Sequence, residues 1–172
     1  MEIKDISAAA FPDYLPSLCK LLRACVEAGA SIGFLTPLTE TELQTFWHGV
    51  AQGLAQRQRR LFVAVTAGEV AGTVQLVLDM PANGRHRADI VKLMVAPDAR
   101  RTGIGRALMQ TAMQAASNER RSLLVLDTRS GDAAEPLYLS LGFEVAGRIP
   151  AYARSTAGEL HATTIMFKQL SL

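Results

Sequence analysis

The chain has 172 residues, 49% of them hydrophobic and 20% charged, and a net charge of +2 at pH 7, the composition of a globular domain able to bury a core without staples. So small a charge argues against a dedicated nucleic-acid binder. No apolar stretch reaches the roughly 18 residues that span a bilayer, and Met1-Glu2-Ile3-Lys4-Asp5 lacks a signal-peptide core, so one domain over residues 1–172, cytoplasmic and away from membranes, is expected.

Ile3 to Ser7 reads as a short strand, followed by a helix on which Leu18, Leu21, Leu22, Cys25 and Val26 recur at helical spacing until Gly29 stops it. Cys19 and Cys25 occupy different angular positions on that helix, and His48, His86 and His161 are scattered, so neither a disulfide nor a metal site is expected. Thr39 to Glu42 has the form of a capping box, opening a helix with Leu43, Phe46, Trp47, Val50 and Leu54 on one stripe that reads as core. The connection Gly29-Ala30-Ser31-Ile32-Gly33-Phe34 is apolar and glycine-rich enough to border a substrate cleft. Arg57, Arg59 and Arg60 form a basic cluster that reads as a solvated turn. Strands follow at Leu61 to Thr66 and Val70 to Leu78, joined by a hairpin turn at Ala67-Gly68-Glu69, and then a loop with Pro81, Asn83 and Gly84.

The next unit carries the chemistry. A strand from about Ala88 to Val95, closed by Pro97, leads into Arg100-Arg101-Thr102-Gly103-Ile104-Gly105-Arg106-Ala107 and a helix to about Asn118. Glycines in such a turn let an anion approach the main chain, the free N–H groups and dipole of the first helical turn favour negative charge, and the arginines add formal charge. A nucleotide P-loop needs Lys-Ser/Thr after its last glycine, where this chain has Arg106-Ala107. A dinucleotide fingerprint finds an acid at Asp127 but would need its third glycine at Leu108. An ordinary helix start with packing glycines is the plain alternative.

Leu123 to Asp127 is apolar without alternation, as in a strand buried on both faces, and the helical crossover makes it parallel to its predecessor. Asp132 and Glu135 read as the cap of a further helix, with Pro136 in its first turn, Tyr138 on its body and Gly142 at its end. Phe143 to Arg148 and Thr163 to Lys168 read as closing strands, separated by a loop containing Tyr152 and Gly158.

The pattern Arg-x-x-Gly-x-Gly over Arg100 to Gly105, set between strand and helix, resembles the acetyl-CoA pyrophosphate loop of the GNAT superfamily of N-acetyltransferases, and the element order is similar along nearly the whole chain. Leu137-Tyr138-x-x-x-Gly142-Phe143 is similar to a second motif of that superfamily. The resemblance implies a mixed α/β sheet, mostly antiparallel and flanked by helices, whose fourth and fifth strands are parallel and splay to admit acetyl-CoA. It implies that Arg100, Arg101, Thr102, Gly103, Ile104, Gly105 and Arg106 hold the pyrophosphate. Backbone N–H groups of Leu93, Met94 and Val95, where strands of that superfamily bulge, would hold the acetyl carbonyl. Many members place an Asn seven residues before the motif tyrosine, where this chain has Gly131 (138 − 7), so a side-chain contact to pantetheine is missing there. Gly29 to Phe34, Arg87-Ala88-Asp89, Lys92 to Val95, Leu126-Asp127-Thr128, Tyr152, His161 and Phe167-Lys168 look more specifically like the tabtoxin-resistance acetyltransferases, which implies a small amino-acid-like or toxin-like acceptor and detoxification.

Acetyl transfer to an amine needs a group to take the ammonium proton and gains from one that protonates the departing thiolate. Tyr138 matches the family's general acid. Asp89, eleven residues before Arg100 (100 − 89), stands where members with a carboxylate base carry a Glu. Their plain alternatives are a packed tyrosine and a solvated residue at a strand start. Asp127 is the rival base, its carboxyl raised if the strand end desolvates it, or the group that holds the substrate ammonium, or a cap of the turn after it. A non-catalytic acyl-CoA sensor and, more remotely, a dinucleotide oxidoreductase remain as other functions, and a homodimer is compatible with the sequence.

Overall fold

The computed structural model describes residues 1–171. Its elements are β1 (Glu2–Asp5), α1 (Phe11–Glu27), α2 (Glu40–Ala55), β2 (Arg59–Thr66), β3 (Glu69–Val77), β4 (Arg87–Val95), α3 (Ile104–Asn118), β5 (Leu123–Arg129), α4 (Ala134–Ser140), β6 (Glu144–Arg154) and β7 (Leu160–Gln169). They form one sheet in the order β1-β2-β3-β4-β5-β7-β6, and β4 with β5 is its parallel pair among otherwise antiparallel neighbours.

Strand alternation builds two cores. Phe62 and Ala64 of β2 face one side with Leu76, Ile90 and Leu124, against Ile104, Leu108, Met109 and Ala112 of α3. Leu61 and Val63 face the other side, against Leu18, Leu22 and Cys25 of α1 and Leu43, Trp47 and Val50 of α2. Trp47 is fully buried beside Phe11 and Phe46, and its Phe46 neighbour stands edge-on at 4.8 Å. The expected capping box is present in full: the Thr39 side chain accepts from the Glu42 amide and the Glu42 carboxylate accepts from the Thr39 amide. The β2–β3 turn is a left-handed pair, Ala67 and Gly68, between the partners Thr66 and Glu69.

Four expectations need correction. Leu123 to Asp127 is not buried on both faces: Leu124 and Leu126 are, Leu123 and Val125 are half-buried, and Asp127 is exposed. The apolar faces of α1 and α2 pack on β2, β3 and β4, so one face of β5 lies past their edge. The last two strands are longer than their apolar runs, and Tyr152 lies within β6 rather than in a loop. Helix α4 has Ala133 at its N-cap and no side-chain cap; Asp132 instead pairs with Arg129 at 2.8 Å, and Glu135 accepts from the Gly131 amide and binds Arg148. Finally, Arg59 is no solvated turn residue. Its guanidinium runs under α2 at Gly53, where any side chain would collide with it, and donates to the fully buried Gln75 at 2.6 Å.

Thr39→Ala removes the cap acceptor and leaves the Glu42 amide without it. Stability measured by urea unfolding should fall by about 1 kcal/mol, with an unchanged m-value.

Candidate active site

Between Val95 and α3 the chain makes a tight path, in which Arg101 at φ 65° and Gly103 at φ 89° both take left-handed backbone. Gly103 is the N-cap of α3 and supplies no side-chain cap, so the amides of the first helical turn are left to face whatever lies over the loop. A Cβ on Gly103 would meet nothing within 4 Å, so that space is open, and Arg100, Arg101 and Thr102 around it are exposed. Thr102 Oγ1 donates to Ala99 O at 2.6 Å and Arg106 donates to Ser140 Oγ at 2.7 Å, which steadies both flanks. This cradle fits a pyrophosphate: open amides at a helix N-terminus with cations around them. The second glycine has a different task. A Cβ on Gly105 would lie 3.3 Å from Leu137 Cδ2, so Gly105 lets α3 and α4 touch.

The strand leading into this loop is bulged. Val91 pairs with Gln75 and Met94 with Thr73, so Lys92 and Leu93 together oppose Val74, and Lys92 sits at φ 55°. On its other edge β4 pairs with β5 only over Arg87, Ala88 and Asp89, against Leu123, Leu124 and Val125. From there to Val95 that edge has no strand partner among the described residues. The main chain of Leu93 to Val95 therefore borders a gap between parallel strands, next to the phosphate cradle. Val95 O is tied back by Cys25 Sγ and Arg100 Nε, each at 3.4 Å.

Two proposed site residues, Asp89 and Asp127, share a face at this gap. Ala88 and Ile90 belong to the α3-side core, so Asp89 between them points to the other face; Asp127 follows Leu126 in the same sense on β5. Asp89 is half-buried rather than solvated. Burial raises its carboxyl above the ordinary range, Arg87 opposes this, and the charge of Asp127 adds to it. Asp127 is exposed, so the desolvation expected for it is absent, and its Oδ2 accepts from Thr163 Oγ1 at 2.9 Å. Tyr138 is 6% exposed and packs on Phe143, ring centroids 6.0 Å apart. Burial, then Asp127 and Asp132, lift its phenol well above the ordinary range.

Lys92 was named from the sequence only within the resembling segment Lys92 to Val95 and given no role, although a lone lysine in the apolar run Ile90 to Val95 was a signal. Its Nζ donates to Ile32 O at 2.6 Å and lies 5.9 Å and 6.0 Å from the rings of Phe34 and Phe46. The glycine-rich α1–α2 connection thus lies over the bulge, as expected of a cleft border. Arg129 donates to Gly29 O at 3.3 Å and the Thr36 amide to Thr156 Oγ1 at 3.2 Å, tying that connection to β5 and to the β6–β7 turn. A shallow surface groove of about 550 Å³ against Ile3, Phe62, Ala107 and Thr111 lies elsewhere and holds none of these groups.

The Acetyltransferase (GNAT) family profile matches residues 17–143. An uncharacterised N-acetyltransferase of the hisH-hisA intergenic region of Azospirillum brasilense is 32% identical over 124 residues, covering 71% of this chain and 72% of that protein. The chain spans 40% to 50% of the length of matching N-acetyltransferases 8, 8B and 8F1 from Mus musculus, Rattus norvegicus and Homo sapiens. Among solved structures, the ribosomal-protein-alanine N-acetyltransferase of Brucella melitensis superposes with a TM-score of 0.82 at 25% identity, over 99% of this chain and 100% of that one. A phosphinothricin acetyltransferase from Sinorhizobium meliloti, solved in complex with AcCoA, shares the fold at TM-score 0.81 and 21% identity, over 99% and 88%. The dinucleotide reading fails on geometry as well: Leu108, at the third glycine position, is fully buried under the sheet.

Asp89 leaves a signature in stability. Its folded-state pKa is raised, so the folded chain holds that proton more tightly than the unfolded chain, and ionisation disfavours the fold as pH rises through the ordinary Asp range near about 3.9. Asp89→Asn should therefore raise Tm at pH 7, with the gain shrinking below about pH 4. Calorimetric scans across pH check this; a gain that is flat with pH would contradict it.

Proposed function

The chain belongs to the GNAT family of N-acetyltransferases, and from that premise we propose that it moves the acetyl group of acetyl-CoA to the primary amine of a small amino-acid-like or toxin-like molecule. Transfer is direct, with Asp89 as general base and Tyr138 as general acid. Acetyl-CoA supplies the acyl thioester. The observation that carries the reading is the half-buried Asp89, facing Asp127 on the neighbouring strand at the gap beside the bulge and the phosphate cradle.

A primary ammonium near pKa 10.4 is a poor nucleophile until its proton leaves, and an ordinary carboxylate is too weak a base to take it readily. Burial and the Asp127 charge narrow that mismatch at Asp89. Asp127, exposed and held by Thr163, suits the ammonium-binding role better than that of base. The amides of Leu93 to Val95 would hold the acetyl carbonyl oxygen from an edge that has no strand partner. Tyr138, with its phenol raised, keeps its proton at neutral pH and so has one to give to the departing thiolate, conjugate base of a thiol near about 8.5. Arg100, Arg101 and Arg106, with the amides from Gly103 onward, would take the pyrophosphate. The likeness to the tabtoxin-resistance acetyltransferases in the α1–α2 connection and at Asp127 supports an amino-acid-like acceptor and a detoxifying role.

Asp89→Asn should lower kcat/KM at pH 7 and recover it toward high pH, where more amine arrives deprotonated, while Asp127→Asn should raise KM at every pH. Steady-state pH profiles with the best amine decide between them; a recovering Asp127→Asn beside a near-normal Asp89→Asn would reverse the two roles. For Tyr138→Phe, kcat should fall about 10²-fold with acetyl-CoA affinity by calorimetry unchanged. Wild-type turnover in that variant would leave Tyr138 a packing residue.

A further inference from the structure

Proton transfer as described makes no use of Lys92, yet the fold goes out of its way to set that side chain in the cleft. The bulge gives Lys92 a left-handed backbone, a conformation unusual for any residue with a Cβ, and so turns its side chain beneath the α1–α2 connection. There the ammonium has one hydrogen bond, to Ile32 O at 2.6 Å, out of three it can make. Phe34 and Phe46 wall it on one side, and Gly33 leaves room for it, since a Cβ there would lie 3.2 Å from Nζ. No carboxylate lies within 4.0 Å of it among the described residues. A half-buried cation is ordinarily paired. The acid whose charge acts on it is Asp127 of the neighbouring strand β5.

The cleft thus presents an incompletely partnered ammonium on one side and two carboxylates, Asp89 and Asp127, on the other. A plain amine would satisfy only the carboxylates. A molecule with an ammonium and a carboxylate a few bonds apart satisfies both sides at once, in a partly dehydrated cleft where such pairing is stronger than in water. We propose that Lys92 is a specificity-determining residue that binds a carboxylate of the acceptor, so that the acceptor is a dipolar amino acid whose ammonium lies at Asp127 and Asp89. This rests on the acetyl-transfer reading above and narrows it. A clamp that merely fastens Ile32 over the bulge would also explain one hydrogen bond, but it would not distinguish acceptors by their charge.

The test uses matched pairs of acceptors, free amino acids and the primary amines that lack only the carboxylate, with rates compared per deprotonated amine because the carboxyl group lowers the basicity of a nearby amine. For the wild-type protein kcat/KM should favour the amino acid of each pair by at least about tenfold, mainly through KM. Lys92→Met should bring that ratio to within about twofold of unity, and Lys92→Arg should keep a preference for the amino acid. Loss of activity toward both members of a pair with the ratio preserved would make Lys92 a loop clamp and overturn the proposal. Equal wild-type rates on both members would overturn it too, while leaving acetyl transfer to small amines standing. If no member of any pair is acetylated, the small-amine reading falls and the Lys92 assignment falls with it.

Discussion

Everything in the candidate site depends on the short life of one strand pairing. β4 and β5 run parallel for three residue pairs, Arg87 to Asp89 against Leu123 to Val125, and then part. The start of the pair is secured from outside, by the Ser122 amide on His86 O at 2.8 Å and by Arg121 on the carbonyls of Arg85 and Arg87. Three residues past Asp89 the bulge at Lys92 and Leu93 adds a residue to β4, which bends and twists the strand away from its neighbour. A parallel sheet continued without the bulge would close the gap with ladder hydrogen bonds, and neither main chain nor carboxylates would be reachable there. Parallel pairs also direct the C-terminal ends of their strands, and the helix N-terminus that follows, to the same place. The open helix N-terminus and the proposed acid–base groups are neighbours for that reason.

The same parting of strands settles the electrostatics. Asp89 is the last residue of β4 paired with β5, deep enough for burial to act on it, whereas Asp127 lies two residues past the last position of β5 paired with β4 and is exposed. Two carboxylates of one sequence type thus have different surroundings, and the difference follows from where the ladder ends. Their mutual repulsion acts in the same direction as burial at Asp89, so the better-buried acid is the one inclined to keep or accept a proton.

Much of this was legible before any coordinates. The capping box at Thr39, the hairpin at Ala67-Gly68, the strand–turn–helix over Arg87 to Asn118 and the glycine at the αL position of the loop are local devices, and local chemistry reads them directly. Errors arose where burial depends on a distant element. Leu123 to Leu126 is apolar throughout, but whether both faces are covered depends on how far α1 and α2 extend across the sheet, which no local pattern encodes. Arg59 reads as surface by type, and becomes half-buried only because Gly53 of α2 leaves room above it and Gln75 offers an acceptor. The acid of Asp132 looked like a cap, yet Arg129 claims it. Lys92 was given no role of its own for a related cause: its placement comes from the backbone angle of a bulge, and a bulge is a mismatch between two strands rather than a property of one.

These features all work against stability taken one at a time. An unpaired strand edge, a lysine in left-handed backbone, two like charges across a gap and a half-buried ammonium with few partners are each less favourable than their ordinary alternatives. They are concentrated between β4 and β5, while the stabilising apolar contacts lie on both faces of β2, β3 and β4, where α3 packs from one side and α1 with α2 from the other. That separation is physically sensible, because a strained strand is held in register when its neighbour on the other edge is immobile, and β3 is buried along nearly its whole length. It also explains Gly72: a Cβ there would lie 2.8 Å from Ile104 and 3.0 Å from Met94 O, so the absence of a side chain lets β3 approach both the first residue of α3 and the strand that bulges. The site's geometry is therefore braced from behind, through β3, by contacts that never touch a reacting atom.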